Sequence, residues 1–330
     1  MTGAGYSTRL ICLWLVHLLA TGSQAARQAS LWKAPLNDTQ QDTAADISFL
    51  QGKGAPTGDD DSQYFALCVA AKDQHLDIDE WVVHHQKLGA GRIYVYDDNS
   101  NPPMRDQLQR HIKSGLVDYH FIGPDNHTTI DRPQLWVYNE CIQQYRDRHK
   151  FIAFIDVDEF LFLRDPSFAS MPALLRQYED YGGLAVNWIL FGSSGHVHRP
   201  KGGTLANYWK CVPLSHPENL HVKTIANMKY VAHTSGTPHF FFYNEGKSAV
   251  TEKFEVVEGA RTHKNMIERV AIYHYVTKSQ EEFRGKTARG SGMKNRKQVG
   301  FFDAIERYAV DDCRDGMLWA QRQQSRNISV

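Results

Sequence analysis

"YFALCVAAKDQHLDIDEWVVHHQKLGAGRIYVYDD", residues 64–98, sets two apolar runs around one amphipathic segment. Tyr64 to Ala71 and Arg92 to Asp98 carry the short aromatic and aliphatic runs of buried strands. Between them Ile78, Trp81, Val82 and Leu88 fall on one side of a helix, and Gly89 supplies its stop. Strand, helix, strand predicts a βαβ unit. The alternation continues with a helix in "MRDQLQRHIKSG" (104–115), a strand in "VDYHFI" (117–122), a helix in "QLWVYNECIQQYRDRH" (134–149) and a strand in "KFIAFIDVDEF" (150–160). Such alternation predicts an α/β fold with a Rossmann-like, doubly wound and mostly parallel sheet. The second half is less regular: "GGLAVNWILFG" (182–192), "HFFFYNE" (239–245) and "RVAIYHYVTKS" (269–279) are apolar segments between Gly, Pro and His, and "GFFDAIERYA" (300–309) predicts a C-terminal helix.

The 330 residues are 42% hydrophobic, ample for a packed core, and 37 Lys plus Arg balance 37 Asp plus Glu. No basic surplus is available to neutralise a nucleic-acid backbone, so nucleic acid is not an expected partner. At the N-terminus Arg9 precedes the apolar run "LICLWLVHLLA", Leu10 to Ala20, which is shorter than the ~20 residues of a membrane span. It reads as a signal peptide with small residues at Ser23 and Ala25, or as a short signal anchor tethering the chain to a membrane; either sends it into the secretory pathway. Sequons at Asn37, Asn126 and Asn327 agree with that destination. The expected organisation is a leader over 1–25, a polar stem over 26–62 and one catalytic domain over 63–325. Apart from Cys12 in the leader, Cys68, Cys141, Cys211 and Cys313 allow three pairings into two disulfides, while Cys68 also fits a buried free thiol.

Three carboxylates, Asp156, Asp158 and Glu159, close the strand at 150–160. Residues two apart on a strand share a face, so a strand running through Asp156 and Asp158 brings both side chains to one point beyond its carboxyl end. A hard cation, Mn²⁺ or Mg²⁺, takes such oxygens and leaves positions for phosphates; a solvated acidic turn is the other reading. "YDDNS" (96–100) ends a neighbouring strand, where Asp97 and Asp98 either receive hydrogen bonds from a ribose or base or cap the turn before "NPP". His239 and His274 are candidates for a neutral imidazole ligand to the same metal, against the reading of surface or core histidines. Lys278, Lys286 and Arg289 either neutralise a diphosphate or line a solvated helix face. Trp188 is a sugar-stacking platform or a core residue.

The order "CVAAKDQ … DEWVVHHQKLGAGRIYVYDDNS … FIAFIDVDEFLF … VNWILFGSSGH … HYVTKSQEEFRGKTARG", spread over about 64–290, resembles glycosyltransferase family 92, a GT-A-fold family. The resemblance implies an inverting Golgi enzyme that transfers a hexose, typically galactose from UDP-galactose, to a glycan acceptor. It implies that Asp156 and Asp158 grip the metal on the diphosphate and that Asp98, with Lys72 and Asp73, lies around the uridine. Where relatives often read Lys-Asn-Glu, this chain has Lys72, Asp73 and Gln74. For the base that deprotonates the acceptor, Glu159, His196 and Glu245 are the candidates. Two other functions compete. A Mg²⁺ phosphohydrolase lacks the small hydroxyl residue it needs where Phe160 stands, and a non-catalytic sugar-binding module would keep the site without turnover.

Overall fold

The βαβ unit read from residues 64–98 is present in the computed structural model, which describes residues 63–293 and 300–328, all within the unit Pro56–Val330. The expected leader and stem lie outside the described residues. Strands are β1 Phe65–Ala71, β2 Arg92–Asp98, β3 Val117–Ile122, β4 Phe151–Phe154, β5 Glu159–Leu163, β6 Gly183–Leu190, β7 Lys210–Cys211, β8 Val222–Asn227, β9 Val231–Thr234, β10 Phe241–Tyr243, β11 Ala249–Val250, β12 Val270–His274 and β13 Asp311–Asp312. Helices are α1 Ile78–Lys87, α2 Arg105–Lys113, α3 Pro124–Thr129, α4 Pro133–Tyr145, α5 Met171–Leu175, α6 Thr204–Asn207, α7 Gln280–Arg289, α8 Phe301–Tyr308 and α9 Asp315–Ile328. None among the described residues is long and apolar enough to cross a membrane.

The main sheet runs β3-β2-β1-β4-β8-β6-β12-β5, with β11 beside β6. Its first four strands are parallel, as the alternation demands. Beyond β4 the sheet is mixed: β8 enters antiparallel to both β4 and β6, and β12 is parallel to β6 but antiparallel to β5. The strand expected over 150–160 is therefore two. β4 stops at Phe154, the Glu159 N–H closes a turn on the Asp156 carbonyl (3.0 Å), and β5 departs for the far edge of the sheet.

That edge is closed by α1. Trp81 Nε1–H donates to the Glu159 carbonyl (2.8 Å), His84 Nε2–H to the Leu161 carbonyl (2.6 Å), and the Leu161 N–H donates to His85 Nε2 (3.2 Å). The helix thus satisfies an edge strand that would otherwise expose its ladder. Gly89 ends α1 at φ +100°, and a Cβ there would lie 2.8 Å from Pro172 Cδ, so the predicted stop is also a packing requirement. Disulfides join Cys68 to Cys141 and Cys211 to Cys313, which selects one pairing of the three and excludes the free-thiol reading. They close chain separations of 73 and 102 residues, large losses of freedom for the unfolded chain.

His84 and His85 are fully buried, and burial lowers both: His84 to about 4, His85 well below its ordinary value. The unfolded chain therefore binds protons first as pH falls, so stability present above about pH 6.5 is lost progressively toward pH 4. The loss from His84 alone is on the order of 3 kcal/mol. Urea midpoints followed from pH 7 to 4.5 are expected to fall along that course, and His84→Gln, which keeps a donor without titrating, is expected to flatten it.

Candidate active site

The turn between β4 and β5 places Asp156 and Glu159 against an ammonium. Lys223, on β8, is fully buried, with Nζ 3.1 Å from Asp156 Oδ2 and 3.3 Å from Glu159 Oε2. The register explains the meeting: β8 pairs Ile225 with Ala153, so two residues further on Lys223 reaches the level where β4 has ended. Burial opposes its charge, yet Asp156 and Glu159 outweigh burial and hold its pKa well above the ordinary lysine value. For Glu159 burial dominates and raises the pKa, with Lys223 pulling the other way. Asp156 is also held by Gln134 Nε2 through Oδ1.

Asp158 takes different partners. Its Oδ2 receives Lys286 Nζ from α7 and lies 3.6 Å from His274 Nε2, at the end of β12. Burial works against its ionisation, but Lys286 and His274 outweigh it and hold the carboxyl well below the usual range. Asp156 and Asp158 thus flank a turn rather than share a strand face, and the two expected ligand pairs separate. Asp158 and His274 converge, whereas Asp156 and His239 line a neighbouring cleft of about 520 Å³ together with Gln134, Trp188, Thr237 and Ser291.

His239 donates its Nδ1–H to the Val222 carbonyl (2.8 Å), so Nε2 carries a lone pair. Burial and the nearby Lys223 charge lower its pKa to about 3, which keeps it neutral. Trp188 is both core and cleft: it is 8% exposed and its ring packs on His221, His239 and His274.

At the other end of the parallel edge, the Asp73 N–H donates to Ser100 Oγ (2.8 Å) and Asp73 Oδ1 accepts from the Asn101 N–H (3.2 Å), tying β1 to the loop after β2 beside the half-buried Lys72. Asp97 is spent internally, accepting from the Ser100 and Met104 N–H groups and the Tyr119 hydroxyl. Asp98 pairs with His127 on α3. Arg289 feels the charges of Asp158 and Asp73 and belongs to the same side of the site. Lys278 does not: it is buried, with Nζ 2.8 Å from Asp77 at the start of α1.

Of the candidate bases, Glu159 is fully buried, His196 meets the Tyr208 ring edge-on, and Glu245 is exposed in the turn after β10. None is among the residues lining the cleft. The residues that sequence reading missed are Lys223 and Gln134. Their signals are a lone lysine inside the apolar run "HVKTIAN" and a glutamine at the start of α4.

Among the described residues no three His, Cys, Asp or Glu side chains form a cage for an ion. A nucleotide-bound Mg²⁺ or Mn²⁺ does not need one, since one or two protein ligands plus phosphate oxygens complete its shell. Ligands at right angles around such an ion stand about 3 Å apart, so the 3.6 Å between Asp158 Oδ2 and His274 Nε2 fits one ion. Lys286, donating to the same Asp158 oxygen, marks that point as one that attracts a cation.

A profile of glycosyltransferase family 92 matches residues 63–299. The chain belongs to that family, and its described residues form an α/β fold around a mixed sheet. Similar proteins include family 92 members of Oryza sativa subsp. japonica (26% identical over 145 residues), Ricinus communis (28% over 146) and Arabidopsis thaliana (20% over 236). The alignments cover 43%, 43% and 67% of this chain but only 24%, 25% and 36% of those proteins' own lengths. A solved structure of S. aureus TarS, residues 1–349, is also similar at 14% identity and a TM-score of 0.33, over 50% of this chain and 47% of that one.

Removing one partner of a buried ion pair strands the other, at a cost of about 3 kcal/mol or more. Lys223→Met is expected to lower stability by that order in urea unfolding, and adding Glu159→Gln is expected to recover part of it. No change in Lys223→Met would show that the ammonium is not needed between the carboxylates.

Proposed function

We propose that this family 92 protein is a glycosyltransferase, an inverting, metal-dependent hexosyltransferase that takes galactose from UDP-galactose and places it on a glycan acceptor. The observation that carries the reading is the convergence of Asp158 and His274 to 3.6 Å, with Lys286 on the same carboxylate, beside a cleft of sugar size. Asp158 and His274 would hold Mn²⁺ or Mg²⁺, which when bound offsets the charge that grows on UDP as the glycosidic bond breaks.

Lys286 and Arg289, in the last turn of α7, add positive charge on the diphosphate side. Asp73 and Asp98, at the ends of β1 and β2, face the nucleoside as polar acceptors at the carboxyl edge of parallel strands. The sugar then lies over the cleft, where Trp188 offers an aromatic wall while Asp156 and His239 Nε2 offer oxygen and nitrogen lone pairs to its hydroxyls. The Golgi lumen or its membrane is the proposed location, supported by two disulfides suited to an oxidising compartment and by the leader-like N-terminus.

Transfer from UDP-galactose to galactose- and fucose-terminated acceptors with Mn²⁺ tests the reading. Asp158→Asn is expected to lower kcat roughly 10²–10³-fold, the scale of losing one electrostatic stabiliser. Full turnover in excess chelator would rule out the metal. UDP release that never depends on acceptor would point to a module that binds and slowly hydrolyses sugar nucleotide instead.

A further inference from the structure

We propose that Glu159 is the positioning residue for His274, taking the imidazole Nδ1–H so that the Nε2 lone pair faces Asp158. The proposal rests on the donor-site reading above and deepens it. The two oxygens of Glu159 are not equivalent. Oε2 accepts from the Asp156 N–H (2.8 Å) and faces Lys223 Nζ (3.3 Å). Oε1 is buried, accepts no hydrogen bond, and lies 3.8 Å from His274 Nδ1.

A pairing with Lys223 therefore explains one oxygen and leaves the other without purpose. The sheet supplies that purpose: in the antiparallel β5–β12 pair His274 stands directly opposite Glu159. Trp188 packs edge-on to the imidazole, with centroids 4.4 Å apart, and limits the ring's rotation. The ring nitrogens then point at two different carboxylates, Nδ1 at Glu159 and Nε2 at Asp158 (3.6 Å). A histidine meant to bind a metal through one nitrogen needs its proton held on the other, and a buried carboxylate is the usual holder. The same burial keeps Glu159 from any acceptor hydroxyl, so orientation replaces the base role expected from the sequence.

Glu159→Gln makes the test sharp. The Asp156 N–H and Lys223 are both donors, so they claim the amide oxygen and turn the NH₂ toward Nδ1. The ring must then accept there and carry its proton on Nε2, with no lone pair left for the ion. Binding of Mn²⁺ to the full chain without donor, followed by the electron paramagnetic resonance of free Mn²⁺, is expected to weaken roughly 10–100-fold in Glu159→Gln. His274→Ala is expected to weaken it at least as much, and Glu159→Gln is expected to add nothing in the His274→Ala background.

Unchanged affinity in Glu159→Gln beside a loss in His274→Ala overturns the proposal and leaves the metal reading standing. Additive losses overturn it too, whereas unchanged affinity in His274→Ala removes both. Should Glu159→Gln fail to fold, ¹⁵N-histidine spectra of the Mg²⁺-loaded wild type decide: a His274 Nδ1–H tautomer supports the proposal and an Nε2–H tautomer overturns it.

Discussion

The ammonium of Lys223, sealed between Asp156 and Glu159, is the constraint on which the site depends. Three carboxylates within four residues repel one another, and burying them without compensation is prohibitive. One buried lysine makes Asp156 and Glu159 tolerable neighbours and fixes where those two point, while Asp158 is met by Lys286 and His274. It can arrive only because β8 runs antiparallel between β4 and β6, against the grain of the parallel half. The irregular second half of the sheet thus delivers the cation that the regular first half requires.

With Lys223 in place the acids divide their work. Asp156 opens on the cleft, Glu159 is withdrawn into the core, and Asp158 turns to α7 and β12. The start of α7 is held firmly: Ser279 and Glu282 form a capping box, Lys278 pairs with Asp77, and Arg199 bridges Asp77 and Glu282. Burial resists the Asp77 charge, but Lys278 and Arg199 outweigh it and lower its pKa to about 2. Lys286 and Arg289 project from the far end of this anchored helix, so one basic turn is presented to Asp158 by a rigid support. The family's run "HYVTKSQEEFRGKTARG" therefore holds two kinds of lysine, one that locks the helix and one that meets the site.

Legibility followed the range of the interactions. The βαβ unit, the α1 stop at Gly89 and the parallel edge carrying Asp73, Asp98 and Asp156 were readable, because helix and strand periodicities are local. The break after Phe154 was not, since an apolar strand ending in acids reads the same whether it continues or turns. Strand β8 was hidden because a lysine inside an apolar run weakens the strand signal at the very residue that matters. His84 and His85 bury against β5, whose Leu161 backbone groups they satisfy, and that contact lies 77 and 76 residues away in the chain.

The sequence alone determined the α/β class, the family and the placing of three acids after an apolar strand, all of which depend on residues near one another in the chain or on the order of short motifs. Tertiary structure alone decided which acids meet which cations, that His274 rather than His239 joins Asp158, and that Cys68 pairs with Cys141 and Cys211 with Cys313. For His274 and Lys223 those outcomes rest on the register between distant strands. A shift of one residue there would turn every side chain to the opposite face, and nothing local in the chain records it.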